Sequence, residues 1–443
     1  MGVYMEKIVA KFGGTSLADA AQFRKVKDIV QAEPARRYIV ASAPGKRYPE
    51  DIKVTDLLLA CYEAAVRGEN FDAILDGIRK RFREILDDLN LEFPLDEEIA
   101  DLRKHLMDSP SRDFAASRGE YLNSRILAAY LGFTFVDPAW CISFNEDGTL
   151  NRKMTMRTMH AALYPLDRAV VAGFYGADTN DVIHTFSRGG SDITGSLVAL
   201  AIEADLYENW TDVSGLKAAD PRIITDSKTV RYLTYRELRT LSYMGASVLH
   251  TDAVLPAAEV GIPINIRNTN SPQDPGTMIV RKIPSKAERH AISGVAGKKG
   301  MSVIQIEKVM VSDGAGFTAV ILDMLRKRSI PFEQCLTGID TITPVLQDSV
   351  LASYREELLN SIRTELQPDY LGVTENLSMI AVIGERATET CDANIRVLHA
   401  LSEQGITIST INQGAGKLNL LVGVSEDCYE KAIRTIYKTL ECQ

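Results

Sequence analysis

Cysteine is sparse in this 443-residue chain: six residues, at positions 61, 141, 335, 391, 428 and 442, with no Cys-x-x-Cys pair. That scatter excludes a disulfide framework and a thiolate zinc centre, and it suits isolated thiols in a reducing compartment. No metal site is expected from the protein's own side chains. Long apolar runs are missing too, since none approaches the ~20 residues that span a bilayer. The first residues carry no charged-then-apolar leader, and Glu6 stands where a myristoylation signal needs Ser or Thr. No targeting segment and no membrane partner are expected, and the expected location is cytoplasmic. Basic charge is in deficit: Lys+Arg number 50 against 59 Asp+Glu, a net charge of -9. Nucleic-acid binders normally show a basic face, so that class is excluded. Histidine is also scarce, with 6 copies.

What is present reads as an ordinary globular chain, 45% apolar and 25% charged. Its length calls for two or three domains, because single cores stop growing near about 250–300 residues. Short apolar runs recur at Ile8 to Ala10, Tyr38 to Ala41, Thr134 to Val136, Ala169 to Ala172, Leu206 to Trp210 and Ile262 to Ile266. Strands buried on both faces of a parallel sheet have this texture. Helical stretches alternate with them: Ala20 to Glu33, Val54 to Val66, Arg118 to Leu131, Ile193 to Glu203 and Tyr235 to Leu249. The alternation predicts a three-layer α/β/α sandwich with a mainly parallel sheet. Residues 68–117 are charged with helical period (Ile74, Ile78, Phe82, Ile85) and read as a helical excursion, part of it a lid or partner surface.

The texture changes at the turn cluster Asn268 to Gly276. Beyond it a strand–helix–strand pattern occurs twice. Met301 to Glu307, a helix from Gly316-Phe317 through Lys327, and Ile330 to Cys335 form the first. Leu377 to Ile383, a helix over Ala393 to Glu403, and Thr407 to Ile411 form the second. Each half continues with a further strand and helix, so two βαββαβ units of ferredoxin-like type are expected.

Four strand ends carry Gly and polar residues. Lys11-Phe12-Gly13-Gly14-Thr15-Ser16 follows the first strand; its Lys precedes the glycines, so it is not a Walker A loop. Ser187-Arg188-Gly189-Gly190-Ser191-Asp192 opens an apolar-striped helix, as an anion site at a helix N-terminus would. Thr211-Asp212-Val213-Ser214-Gly215 and Ser42-Ala43-Pro44-Gly45-Lys46 end two more strands. Any one of them could be a plain turn or cap. Four together point to a shared crevice beyond the carboxyl ends of the strands.

In this order the motifs resemble those of aspartate kinases in the amino-acid kinase family. The matching residues are Lys11 to Ser16, Gly119-Glu120, Ser187 to Asp192, Thr211-Asp212-Val213, Asp220-Pro221-Arg222 and Arg267-Asn268-Thr269. The likeness implies a catalytic domain over 1–284, and two regulatory ACT domains, one over 302–373 and one over 292–301 with 374–443. In the family one ACT unit borrows strands from both ends of the regulatory region, so Ile292 to Ala296 is expected to pair with the C-terminal unit.

The resemblance implies transfer of the γ-phosphoryl of ATP, with Mg2+, to the β-carboxylate of L-aspartate. Lys11 and Asp192 would be catalytic, Lys11 on the transferring phosphates and Asp192 orienting it. Arg188 would hold the α-carboxylate and Glu120 the ammonium, with Thr15, Ser16, Ser42 and Ser191 adding hydrogen bonds. Gly13, Gly14, Thr211, Asp212 and Arg222 would line the nucleotide. Two positions depart from the family pattern, Lys217 for a Tyr and Ser247 for a Lys, both on the nucleotide side.

An amino-acid effector is implied, lysine first and threonine second, with Met310, Asp313, Gly316, Phe317, Glu333 and Thr337 as candidate contacts; Phe317 could equally be core. A homodimer or homotetramer through the ACT units is expected. The alternatives are a kinase of the same fold acting on glutamate, N-acetylglutamate or UMP, or an inactive ACT-bearing sensor. At this length no appended homoserine dehydrogenase is expected. The chemistry agrees: a carboxylate nucleophile is already ionised at neutral pH, so the enzyme needs cations and backbone N–H donors rather than a histidine base. None of the histidines lies in the Gly-rich loops.

Overall fold

The computed structural model describes residues 6–187, 189–246, 249, 251–285, 292–309, 314–384, 392–413 and 419–441. The chain divides into two compact units. One comprises Met1–Leu216, Thr229–Arg239 and Ser247–Arg289; the other comprises Lys217–Lys228, Thr240–Ala246 and His290–Gln443.

The first unit begins β1 (Ile8–Phe12), α1 (Ala20–Ala32), β2 (Arg36–Ala41), α2 (Val54–Val66), α3 (Asp72–Leu89), α4 (Leu95–Asp108), α5 (Arg112–Leu131) and β3 (Thr134–Val136). It continues with α6 (Arg152–Leu163), β4 (Ala169–Ala172), β5 (Tyr175–Ala177), β6 (Ile183–Thr185), α7 (Gly190–Ala201) and β7 (Leu206–Thr211). Then come β8 (Tyr232–Thr234), α8 (Tyr235–Tyr243, whose last residues fall in the second unit), α9 (Thr251–Val260), β9 (Ile264–Asn268) and β10 (Thr277–Val280).

An eight-stranded sheet runs in the order β3-β4-β2-β1-β7-β9-β10-β8. The strands from β3 to β9 are parallel; β10 is antiparallel to β9 and parallel to β8. Pleating sends alternate side chains to opposite faces. Ala10, Phe12, Ile39, Ala41, Val170 and Trp210 face one core with α1 to α5. Lys11 faces the other side, where α7 packs. The sheet is covered on both faces.

The excursion is not a detached lid. Phe71, Leu75, Ile78, Phe82, Ile85, Leu95, Leu102 and Leu106 belong to the same buried cluster as the sheet residues. The helical period thus marked a core face, and the charges are its solvent side. Two boundaries also move. α5 starts at Arg112, with the Ser111 side chain capping Phe114 N–H, rather than at Arg118. The helix read over Tyr235 to Leu249 stops at Tyr243, and Gly245 follows with φ +98°, a left-handed turn that suits glycine.

The second unit contains β11 (Gly294–Glu307), α10 (Gly314–Lys327), β12 (Gln334–Thr337), β13 (Thr341–Gln347), α11 (Asp348–Leu366), β14 (Tyr370–Ile383), α12 (Asp392–Glu403), β15 (Ile408–Gln413), β16 (Asn419–Ser425) and α13 (Tyr429–Glu441). They form one six-stranded sheet, β12-β13-β11-β14-β16-β15. The strands read as Ile292 to Ala296 and Met301 to Glu307 are one strand, β11, 14 residues long, and β14 is as long. The two pair antiparallel along their length, from Gly294↔Ile383 to Glu307↔Tyr370. Two βαββαβ units therefore share a continuous sheet. Register irregularities between Lys298 and Val303 mark the seam.

Replacing Phe82, wholly buried in the helical excursion, by Ala should lower stability by about 3–5 kcal/mol in denaturant unfolding. An excursion that merely covered the site would leave the unfolding midpoint where it was.

Candidate active site

The site is built from the sheet outward. Lys11 lies in β1, and its register partner in β7 is Asn209. Parallel neighbours in register present side chains to the same face, so both reach toward the first turn of α7. There Lys11 Nζ lies 2.5 Å from Asp192 Oδ1, and Asn209 Nδ2 donates to the same oxygen at 2.8 Å. Tyr207, two residues earlier on that face, donates its hydroxyl to the Asp192 carbonyl at 3.2 Å. The Asp192 N–H in turn donates to the Gly189 carbonyl at 2.9 Å, and the helix N-terminus favours the carboxylate. The Lys11 side chain is only 9% exposed and that of Asp192 18%.

Two loops interlock beside this pair. Gly45 N–H donates to the Gly14 carbonyl at 2.8 Å, and Ser42 N–H donates to the Phe12 carbonyl at 3.1 Å. The approach is so close that a Cβ on Gly45 would lie 2.5 Å from the Gly14 carbonyl carbon. Only glycine fits there. The 42–45 loop is held from behind by Asn123 Nδ2, which donates to the Ser42 carbonyl at 2.7 Å, and by Arg81 Nη2, which donates to the Gly45 carbonyl. Arg81 stands beside Asp51, whose carboxyl the Arg47 guanidinium holds well below the usual range.

Glu120 completes the cluster from α5. Burial pushes its carboxyl up to about 8, opposed by the Ala43 N–H, its own N–H and the charge of Lys11. Its Oε2 is buried with no hydrogen-bond partner. A buried acceptor without a donor is costly. The geometry asks for a cation or N–H donor at that place.

The other residues singled out by sequence distribute as follows. Ser16 is buried, its hydroxyl 2.7 Å from that of Thr269, while Thr15 is exposed. Ser191 is buried against Gly173, where a Cβ would sit 2.5 Å from Ser191 Oγ. Gly13 N–H donates to the Trp210 carbonyl, and the Thr211 carbonyl accepts from Thr269 N–H. Thr211 hydrogen-bonds Asp212 at 3.2 Å, and Asp212 is exposed. Arg222 falls in the second unit, exposed and ion-paired with Asp220 at 2.7 Å. Arg188 and Ser247 lie outside the described residues, as do Met310 and Asp313.

In the second unit Phe317 is core, packed with Ile304, Ile321 and Leu325. Glu333 faces Lys298 at 3.4 Å and accepts from Gln347 at 2.9 Å; Gly316 is half-buried and Thr337 exposed. Among the described residues no cluster of His, Cys, Asp or Glu is arranged to hold a metal ion.

Asn209 and Asn123 were not singled out by sequence, although both orient site residues. The signal for Asn209 was present: Glu208 and Asn209 interrupt a run otherwise read as apolar. Glu208 serves the opposite face, buried with Arg36 at 2.7 Å and accepting from Trp210 Nε1 at 2.9 Å. Asn123 has no comparable signal, because its partner is a backbone carbonyl.

The model of the amino acid kinase family matches residues 6–268, and a model of the ACT domain matches residues 380–440. Aspartokinase 3 of Bacillus subtilis is 35% identical over 448 residues, covering 97% of this chain and 98% of that protein. The crystal structure of Clostridium acetobutylicum aspartate kinase superposes with a TM-score of 0.87 at 40% identity, covering 98% of this chain and 100% of that one. Escherichia coli aspartokinase III in complex with aspartate and ADP gives a TM-score of 0.76 at 25% identity, covering 98% of this chain and 100% of that one. The chain belongs to the amino acid kinase family, among its aspartokinases.

Proposed function

We propose that this protein transfers the γ-phosphoryl group of ATP to the β-carboxylate of L-aspartate, giving 4-phospho-L-aspartate and ADP. The observation that carries the reading is the pair of buried Lys11 with half-buried Asp192, braced by Asn209 and within electrostatic reach of Glu120. The reaction brings two anions together, and catalysis of such a step is positioning plus electrostatic stabilisation. Lys11 supplies the positive charge for the transferring phosphoryl group, and Asp192 aims it. Gly13 and Gly14 let the phosphates approach the backbone.

Glu120 receives the ammonium of aspartate, whose N–H donors suit its unpartnered oxygen. Arg188 takes the α-carboxylate through its planar fork, leaving the β-carboxylate free to attack. Ser42, Ser191, Thr15 and Ser16 border the acceptor, and Thr211 and Asp212 the nucleotide. Mg2+ bound with the nucleotide would neutralise charge on the phosphates, and such an ion needs few protein ligands. An inactive sensor would have no reason to keep a cation buried and aimed in this way.

Regulation follows from the second unit. Lysine is the proposed effector, threonine the second choice, and subunits associate through the ACT edges as a dimer or tetramer. The four cysteines among the described residues are free thiols, which suits the cytoplasm.

Hydroxylamine trapping tests the reaction. ATP-dependent hydroxamate should form from L-aspartate in clear preference to L-glutamate and N-acetyl-L-glutamate, and lysine should suppress it more than threonine. Preference for glutamate would overturn the substrate assignment, as ADP release driven by UMP would. The raised Glu120 carboxyl gives a second expectation. It is largely neutral at pH 7 and pairs with an ammonium only once ionised. The kcat/KM for aspartate should therefore rise with pH and level off above about 8. Glu120→Gln should raise the aspartate KM and flatten that rise; an unchanged pH profile would remove Glu120 from the ammonium site.

A further inference from the structure

A cavity of about 410 Å³ lies between α4 and α5 of the first unit. It is on the other side of α5 from Glu120, because residues 118 and 120 are about 200° apart around a helix. Leu102, Phe114, Tyr121 and Leu122 give it apolar walls; Arg118, Asp101, Asp108 and Lys104 bring charge to it, as does Glu98, which is paired with Arg125.

Arg118 is the anomaly. Its guanidinium carbon lies 4.5 Å from the ring centre of Phe114, 4.3 Å from Tyr121 and 5.4 Å from Tyr175. Its Nε and Nη2 both donate to Ser117 Oγ at 3.1 Å. Among the described residues no carboxylate forms an ion pair with it. Arg125, seven residues further along the same helix face, makes the contrast. It too lies over aromatic rings, Phe93 and Tyr121, but Glu98 neutralises it. Arg118 is half-buried among the rings with no counter-ion of its own, and its fork is shaped for a carboxylate.

Asp101 and Asp108 supply the complement. Seven residues apart on α4, they share a face, are exposed, and have no ion pair among the described residues. Asp108 and Arg118 both act electrostatically on His105, which stacks on Phe114 at 3.5 Å. Arg118 and Asp108 thus both lie within electrostatic reach of that one imidazole.

We propose that this cavity is a second ligand site, distinct from the phosphoryl-transfer site, that takes a free α-amino acid with an apolar side chain. Its carboxylate lies on Arg118, its ammonium toward Asp101 and Asp108, and its side chain between Leu102, Phe114, Tyr121 and Leu122. The inference goes beyond the phosphotransfer reading and does not require it.

The test uses the full-length protein with aspartate and a non-hydrolysable ATP analogue saturating the catalytic site. Binding of L-leucine, L-methionine and L-phenylalanine is measured by saturation-transfer NMR and calorimetry. At least one should bind with Kd of ~1 mM or tighter. Arg118→Met should weaken it at least tenfold, and Glu333→Gln in the second unit should leave it unchanged. The double variant Asp101→Asn with Asp108→Asn alters exposed side chains only, so it keeps the fold while also weakening binding at least tenfold. The leucine analogues 4-methylpentanoate and 3-methylbutylamine should each bind at least tenfold more weakly than leucine. No binding by any of the three amino acids overturns the proposal. So does affinity indifferent to Arg118 or to the two aspartates, binding lost in Glu333→Gln, or 4-methylpentanoate binding as tightly as leucine.

Discussion

An ammonium group withdrawn from water at the end of a parallel sheet needs an anion beside it, and the anion must be held or it will follow its own solvation outward. Lys11 and Asp192 meet that condition through the sheet itself. Lys11 belongs to β1, Asn209 to β7, and their register sets both against the first turn of α7, where Asn209 fixes the carboxylate that Lys11 pairs with. A one-residue slip of β7 would turn Asn209 to the opposite face and bring Glu208 to this one. The apolar packing of Phe12 and Trp210, and the buried Glu208 with Arg36, hold that register from the other side.

A second constraint follows from crowding. The loops after β1 and β2 approach so closely that a side chain on Gly45 would meet the Gly14 backbone. Glu120, wedged behind the 42–45 loop, is thereby kept from water and left with one oxygen unpartnered. Such a carboxyl is poised rather than satisfied. An unpartnered buried acceptor is costly, and a donor brought to it would remove that cost.

Much of this was legible in the chain. Strands buried on both faces betray themselves as Val- and Ala-rich runs, and Ala169–Ala172 was readable to the residue, as were the edge strand Thr134–Val136 and the helix Val54–Val66. The glycine pairs announced the loops because a tight approach leaves little else possible. Three things were hidden. The helical excursion looked like a lid because charge dominates its composition, while its burial depends on a partner surface far away in sequence. The joining of Ile292 to Ala296 with Met301 to Glu307 into one strand is a property of the β11–β14 ladder, not of either segment. The bracing role of Asn123 depends on a backbone carbonyl, which no motif records, and that of Asn209 on a register that the polar break at Glu208-Asn209 signals without specifying.

The central claim is that Lys11 places its charge where the phosphoryl group is transferred, and one variant addresses it directly. Steady-state and binding measurements on Lys11→Ala should show kcat lowered by about 10³-fold or more, with ADP and aspartate still bound within a few-fold and the far-UV circular dichroism of the folded protein retained. Turnover within tenfold of the unsubstituted protein, with the fold intact, would contradict the account.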